Sequence, residues 1–459
     1  MTILSLVVAV AAIVSMGSAA VRALGPGAGD PFERALRGLL AIVLGLGIWS
    51  GAYAVARFVG VASGLVVLDL VLAAAGVVVL VRFRASPTEP GRGLPTAPLW
   101  LGAALVVAAL LVAAIFATLT AGAPEGVDDA WIMWTLRARF LARDPDLHHA
   151  FSDAAPLWHV DYPLLLPGLI AQGWRVLGGE SCAVPILIAA TFTGLAVATL
   201  TAAVGAERGG ASGLAAGLTV LGAPILVFVG AAQIADVPFA TFLLAGGICL
   251  ARAFAGAEDR GPVALAGLAL SLACWTKNEG AIHLIAFALV LAILKGRRHL
   301  VAFGLGALPV LLLLAWFKLA YAPRNDIVSG LGAGSALSRV AEGGRYREIG
   351  KALVLEPWAI HHWSFFPAVL PLLIVALRRR RRAAGWSGAG AVGLALAFSW
   401  AAILVTYLLT PYDTRWHLAS SLDRLVTQSW PSLVLATFLA LPPLTAAPRV
   451  SAPTPGRLS

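Results

Sequence analysis

Charge is what this sequence has least of. Only 12% of its 459 residues are Asp, Glu, Lys or Arg, where a soluble domain usually carries about a quarter. Half that supply cannot cover the surface of a water-soluble chain, and 59% of the residues are hydrophobic. Cysteine is scarce as well. Cys182, Cys249 and Cys274 lie in or beside apolar stretches without a spacing motif. They read as buried thiols, not as a disulfide framework or a zinc site. No P-loop, dinucleotide fingerprint or zinc-protease motif occurs. The adjacent pairs His148–His149 and His361–His362 do not have metal-ligand spacing. No internal repeat is visible, so a transporter built from inverted repeats gains no support. The apolar run 3–21 has no basic stretch ahead of it, which makes it a first membrane span rather than a signal peptide.

What is present is a series of long apolar blocks. Residues 99–121, 182–204, 300–322 and 387–410 are each long enough to cross a hydrocarbon core of about 30 Å. Backbone groups in lipid must be paired internally, and the runs are continuous rather than alternating, so the spans are expected to be helices and not barrel strands. The expected fold class is therefore all-α and polytopic, with about thirteen spans. They fall near 3–21, 38–56, 64–81, 99–121, 182–204, 213–231, 234–255, 262–276, 280–294, 300–322, 363–377, 387–410 and 429–446.

The net charge of +10 does not point to nucleic acid, because the basic residues sit in short clusters between apolar blocks. Arg378 to Arg382 form the strongest cluster. Lys295, Arg297 and Arg298 form a second, Arg82, Arg84 and Arg92 a third, and Arg22, Arg34 and Arg37 a fourth. If every span crosses once, all four share a face, which the positive-inside rule makes cytoplasmic. Loops 122–181, 323–362 and 411–428 then lie outside and hold much of the polar chemistry.

Asp128-Asp129 comes after Pro124-Glu125-Gly126, just beyond a span, and opens an amphipathic run. There Asp129, Ile132, Met133, Leu136 and Phe140 share a helical face, and Arg137 and Arg139 turn toward headgroups. Asp128 is expected to cap this interfacial helix, leaving Asp129 as a general base toward an acceptor hydroxyl. His159-Val160-Asp161-Tyr162-Pro163 precedes a short apolar stretch, 164–177, read as re-entrant or interfacial. Trp275-Thr276-Lys277-Asn278-Glu279-Gly280 sits at an outward hairpin tip. Lys277 can meet a phosphate there, with Glu279 setting its position, or it can simply snorkel. His417, Ser421 and Arg424 fall at i, i+4 and i+7 on one helical face, near Arg415, and arginine is well suited to gripping phosphate. Asp236 precedes Pro238 at a span end and reads either as a cap or as part of a site.

The order of these motifs resembles the GT-C superfamily of integral membrane glycosyltransferases. The bacterial relatives of protein mannosyltransferases and lipid A aminoarabinose transferases are the nearest in pattern. The resemblance rests on Asp128-Asp129 after an early span, then His159-Val-Asp161-Tyr162-Pro163-Leu164, then Asp236-Val-Pro238 and the 275–280 hairpin. It implies a GT-C-like module at 99–430 with interfacial helices in its first large outer loop. Residues 1–98 would be additional N-terminal spans, 431–446 the end of the last span, and 447–459 a disordered cytoplasmic tail. It further implies a polyprenyl-phosphate-linked sugar donor and an envelope glycan, lipid or protein acceptor, at the outer face of a bacterial inner membrane. Asp129 and Asp128 would be catalytic. Lys277, Arg415 and Arg424 would hold the donor phosphate, and His159, Asp161, Tyr162, Asp236, Asn278, Glu279 and His417 would contact substrate. A divalent metal, Mg or Mn, is compatible with the resemblance and is not demanded by any motif. The chain departs from the pattern in having three spans before the module and no sizeable soluble domain after it. The alternative is a transporter or flippase of lipid-linked sugars, which would place ionisable residues deep within spans.

Overall fold

A computed structural model describes residues 2–25, 29–61, 65–82, 97–144, 146–152, 159–254, 260–325, 333–355 and 387–444. The expected span 363–377, the cluster Arg378 to Arg382, Arg84, Arg92, Asp326, His361, His362 and the tail 447–459 lie outside them. Among the described residues every element is helical. In chain order these are α1 (Thr2–Val21), α2 (Pro31–Phe58), α3 (Leu65–Arg82), α4 (Leu99–Gly122), α5 (Leu136–Arg143), α6 (Leu165–Leu177), α7 (Ala183–Arg208), α8 (Gly210–Leu221) and α9 (Pro224–Ala231). Next come α10 (Asp236–Ala253), α11 (Gly261–Thr276), α12 (Gly280–Leu294), α13 (Arg297–Ala320), α14 (Ala333–Ala341), α15 (Gly343–Leu355), α16 (Gly388–Leu409) and α17 (Thr414–Ala440). A π-helical turn, Ala130–Thr135, leads into α5.

Among the described residues seven helices are long and apolar enough to cross a membrane, namely α1, α2, α4, α7, α10, α13 and α16. The pair α8 and α9, bent by 62°, makes an eighth if it is taken as one broken span. The helices α11 and α12 are apolar but shorter. These long apolar helices are compatible with the multi-pass helical character expected from the sequence; of the thirteen expected spans, 363–377 lies outside the described residues. On the outside of the bundle α4 shows Leu110, Leu111 and Val106, the exposure suited to a lipid-facing helix.

Helix ends reflect local sequence. Asp30 accepts the backbone N–H of Glu33 at 2.9 Å, with Pro31 opening α2. Asp413 accepts the N–H of Trp416 at 2.9 Å and starts α17. Glycine sets a close crossing of α11 and α13. A Cβ at Gly267 would lie 2.0 Å from the Phe303 carbonyl oxygen, and one at Gly306 would lie 1.9 Å from that of Ala264. Only glycine lets α11 and α13 approach this closely, and those two helices carry Lys277 and Lys318 at their C-terminal ends.

One apolar core runs from Ala9 in α1 to Ala440 in α17, so α1 and α2 pack into the same body as the later helices, with Leu68, Leu72 and Ala73 of α3 against it. The helix α6 is enclosed by protein. Leu165 to Gln172 are all buried, the Leu165 carbonyl accepts Ser50 Oγ at 2.8 Å, and Arg175 meets Asp69 of α3 at 2.6 Å. Trp49 and Gln172 also donate to that carboxylate, at 2.8 and 3.2 Å. A segment too short to span is stable here because it is walled by protein instead of lipid.

Ionic groups gather at the two ends of α10. Arg252 near its C-terminus pairs with Glu33, which also holds Arg37 at 2.7 Å, and lies 3.6 Å from Glu207. Asp236 begins the helix, sixteen residues or about 24 Å away at 1.5 Å per residue. No charged residue lies on α10 between the two. Cysteine labelling tests the sidedness inferred from the basic clusters: positions near 150, 340 and 415 are expected to react from outside intact cells, and position 380 only after permeabilisation. Outside labelling at 380 would overturn the arrangement.

Candidate functional site

The end of the bundle opposite the Glu33 cluster holds a cavity of about 1120 Å³. Behind its lining lies Asp236, whose side chain is 0% exposed. Three side chains from two other helices converge on this carboxylate. Lys277 Nζ reaches Oδ1 at 3.0 Å, Gln428 Nε2 donates to Oδ1 at 2.6 Å, and Arg424 donates to Oδ2 from Nε and Nη2 at 3.3 and 3.1 Å. Asp236 makes no capping bond; it is a buried counterion. The remaining edge of the Arg424 guanidinium donates from Nη1 to Asp129 Oδ2 at 2.6 Å. Lys277 also pairs with Glu279 at 3.2 Å, and Glu279 accepts the Tyr162 hydroxyl at 3.3 Å.

Asp129 is held by its backbone. Gly126 is in the left-handed region at φ +78°, where glycine is favoured. The Val127 N–H donates to the Ala232 carbonyl at 3.4 Å, and Gln233 Nε2 to that of Pro124 at 3.1 Å. Gln233 itself has φ +61°, a conformation costly for a non-glycine residue and maintained only by its surroundings. One clamp thus fixes the approach to Asp129 and to Asp236 together. Asp128 is exposed and makes no capping bond, so the capping role expected for it is not observed. Among the described residues Asp128 has no ion pair.

The π-helical turn changes the register expected after Asp129. An α-helix throughout would turn Arg137 toward headgroups; instead Arg137 is fully buried and donates to the carbonyls of Tyr162 and His159, each at 3.1 Å. Burial lowers its guanidinium to about 10, still cationic at neutral pH. Those bonds support the turn in which His159 takes φ +50°. Tyr162 is stacked between Trp134 and His159, with ring centroids 5.7 and 5.0 Å away. Burial, then Glu279 beside it, raises the Tyr162 phenol well above its ordinary value, so it remains a donor.

A second polar group lies along the same wall. Asp161 accepts from Asn278 Nδ2 at 2.7 Å, Asn325 Nδ2 at 2.9 Å and Lys318 Nζ at 3.0 Å. Lys318 donates in turn to Asn278 Oδ1 at 2.8 Å. Burial pushes the Asp161 carboxyl up, but Lys318 and the two amides more than offset it and hold it below the usual range. A lowered carboxylate contributes stability above its unfolded value, about 3.9, and loses that contribution as pH falls through the folded one. Asp161→Asn is therefore expected to melt below wild type at about pH 7, with the gap closing below about pH 4, as monitored by tryptophan fluorescence of protein in detergent. A gap independent of pH contradicts the role assigned to this carboxylate.

Facing these groups, α16 and α17 supply Tyr407, His417 and Ser421. The Tyr407 and Ser421 hydroxyls lie 2.7 Å apart, and His417 Nδ1 lies 2.9 Å from Thr410 Oγ1. The expected stripe 417, 421, 424 is on the cavity face and extends to Gln428. Much of the remaining lining is apolar or aromatic, with Ile282, Ile403, Val405, Leu409, Tyr412 and Trp416 beside the polar Thr406 and Ser420; Val405 and Trp416 are exposed on the bundle surface.

Of the residues singled out in the sequence, Asp129, His159, Asp161, Tyr162, Lys277, Asn278, Glu279, His417, Ser421 and Arg424 line this cavity, and Asp236 lies against them. Arg415 does not join them. It is 71% exposed and pairs with Glu348 of α15 at 3.1 Å, because it stands two residues from His417 on a different helical face. Nor does α6 wall the cavity; the π-helical turn contributes Met133 instead. Lys318, Asn325, Gln428 and Tyr407 are additions that the motifs do not indicate. Gln428 is within reach of sequence reasoning, one turn further along the α17 stripe. Among the described residues no three His, Cys, Asp or Glu side chains are grouped to hold a metal ion; the carboxylates are engaged by lysine, arginine and amides. A scan against family models gives no match, and searches of curated proteins and of solved structures find no similar protein.

Proposed function

We propose that this chain transfers a sugar from a polyprenyl-phosphate-linked donor to an acceptor hydroxyl at the outer face of a bacterial plasma membrane, as a GT-C-type glycosyltransferase. The observation that supports this reading best is the Asp129–Arg424 pair, 2.6 Å apart, in a cavity that is ionic on one side and apolar on the other. Sugar transfer from a lipid phosphate needs a base for the acceptor, cations for the departing phosphate and a surface for an apolar tail. In this reading Asp129 takes the acceptor proton as the acceptor oxygen bonds to the anomeric carbon. The bond from that carbon to the phosphate oxygen breaks, and polyprenyl phosphate leaves with the electron pair. Arg424 and Lys277 meet the charge that develops there. Glu279 Oε2, buried without a hydrogen-bond partner among the described residues, is an acceptor suited to a sugar hydroxyl. Ile403, Val405 and Leu409 offer the tail a path toward lipid.

The transporter or flippase reading has less support. It calls for ionisable groups along the crossing, whereas α10, with the site at one end, is uncharged between Asp236 and Arg252. Mass spectrometry of envelope glycans, lipids and proteins in a deletion strain tests the proposal. Loss of one sugar from an acceptor, restored by wild type and not by Asp129→Asn, is the expected result. Loss of the sugar with the lipid-linked precursor trapped on the inner leaflet, and its restoration by Asp129→Asn as by wild type, would favour the flippase.

A further inference from the structure

Arg424 is held by two carboxylates of different character. Asp236 takes Nε and Nη2 and is completely buried; Asp129 takes Nη1 alone, and its side chain is 28% exposed at the cavity. The guanidinium fork is thus divided into an anchored edge and an exchangeable edge. Around it Asp129, Asp236 and Glu279 face Lys277 and Arg424, so carboxylates already outnumber cations by one. A phosphate entering this group cannot simply add to it, because like charge at contact distance is costly. It needs a donor edge, and of the two edges of Arg424 only Nη1 has a partner that is open to the cavity.

We infer that Asp129 is an internal stand-in for the phosphate of a lipid-phosphate ligand: the phosphate exchanges with Asp129 on Arg424 Nη1, and binding it releases the base. This rests on the transfer reading and adds an order to it. Without donor, Asp129 Oδ2 is occupied by Arg424 Nη1 and is not free for an acceptor hydroxyl. Once donor phosphate occupies Nη1, Asp129 loses that partner and its carboxylate oxygen is free to meet the acceptor hydroxyl. The acceptor hydroxyl is then deprotonated only when a donor is in place, which protects the donor site from idle turnover. Asp236 keeps the guanidinium aimed throughout, since its two bonds use the other edge.

The consequence is contrary to ordinary expectation for a catalytic base: removing it strengthens phosphate binding. The test uses full-length protein in phosphatidylcholine nanodiscs, titrated with farnesyl phosphate, with inorganic phosphate and with farnesol. Asp129→Asn and Asp129→Ala are expected to bind farnesyl phosphate about tenfold more tightly than wild type, the scale of losing one competing charge at contact. Farnesol affinity is expected to be unchanged. Asp128→Asn removes the same charge one residue away without touching Arg424, and is expected to stay within about twofold of wild type. Arg424→Gln is expected to lose most of the phosphate-dependent affinity. Equal or weaker farnesyl phosphate binding in both Asp129 variants overturns the exchange, and if those variants have still lost transfer, the transfer reading survives it. An equal gain in Asp128→Asn overturns it too, by showing a general charge effect. Inorganic phosphate binding as tightly as farnesyl phosphate overturns the lipid part of the inference. No binding of farnesyl phosphate to wild type overturns both the exchange and the transfer reading.

Discussion

Asp129→Asn is expected to lower the transfer rate by about 10²–10⁴, the usual contribution of a positioned general base. At 1.36 kcal/mol per decade this is about 3–5 kcal/mol of barrier. The amide occupies the same volume and can still offer an oxygen to Arg424 Nη1, so the local geometry has little reason to change. It cannot accept the acceptor's proton. Fold stability is expected to fall by about 1 kcal/mol at most, since the Asp129–Arg424 pair is partly exposed and Arg424 retains Asp236. The measurement is release of polyprenyl phosphate by purified protein, set beside a thermal melt of the same preparation. Asp128→Asn serves as the comparison; its side chain is outside the cavity lining and its effect on rate is expected to be small. Turnover near wild type in Asp129→Asn would remove the base from the mechanism, whatever the cavity binds.

Much of this site is legible in the sequence because its residues are misfits. In a chain this poor in charge, Asp129, Asp236, Lys277 and Arg424 stand out at the ends of apolar blocks, and the cost of placing charge beside lipid makes such positions informative. How these residues are paired is not legible. Asp236 and Arg424 are 188 positions apart, and local pattern carries nothing about which of several span ends will meet. The same limit explains Arg415, which in sequence is equivalent to Arg424 and in the fold has Glu348 of α15 as its partner. Arg137 departs from expectation for a different reason. Its expected direction assumes α-helical periodicity from Asp129 onward, and the π-helical turn at Ala130–Thr135 rotates the residues beyond it. Lys318 does not stand out, because a lone lysine at the end of an apolar helix is ordinary snorkelling; only the arrival of Asp161 and Asn278 from other loops gives it a role. For α6, composition indicates a segment too short to span, and the burial that stabilises it depends on Ser50 and Asp69.

The largest expected effect on stability belongs to Asp236→Asn. Asp236 is the deepest charge in the site, and Lys277 beside it is almost completely buried. Taking one partner from a buried pair typically costs about 3–5 kcal/mol, because the other charge is left without compensation. Asparagine has one carbonyl oxygen, so it can keep either the Arg424 bonds made by Oδ2 or the Gln428 bond made by Oδ1, and its NH2 then faces donors on the other side; the loss is expected inside that range, about 4 kcal/mol. If the cost arises from the stranded ammonium, removing the ammonium recovers part of it. Lys277→Met preserves length and apolar volume, and the double variant Asp236→Asn/Lys277→Met is expected to be more stable than Asp236→Asn alone by about 1–2 kcal/mol, a coupling typical of contacting residues. Lys277→Met alone leaves Asp236 with Arg424 and Gln428, and its cost is expected to be smaller than that of Asp236→Asn. Unfolding of the four proteins in detergent, monitored by tryptophan fluorescence, gives the cycle directly. Strict additivity of the two substitutions would mean that Asp236 and Lys277 act independently, and the ionic group assigned to the cavity would then have to rest on Arg424 alone.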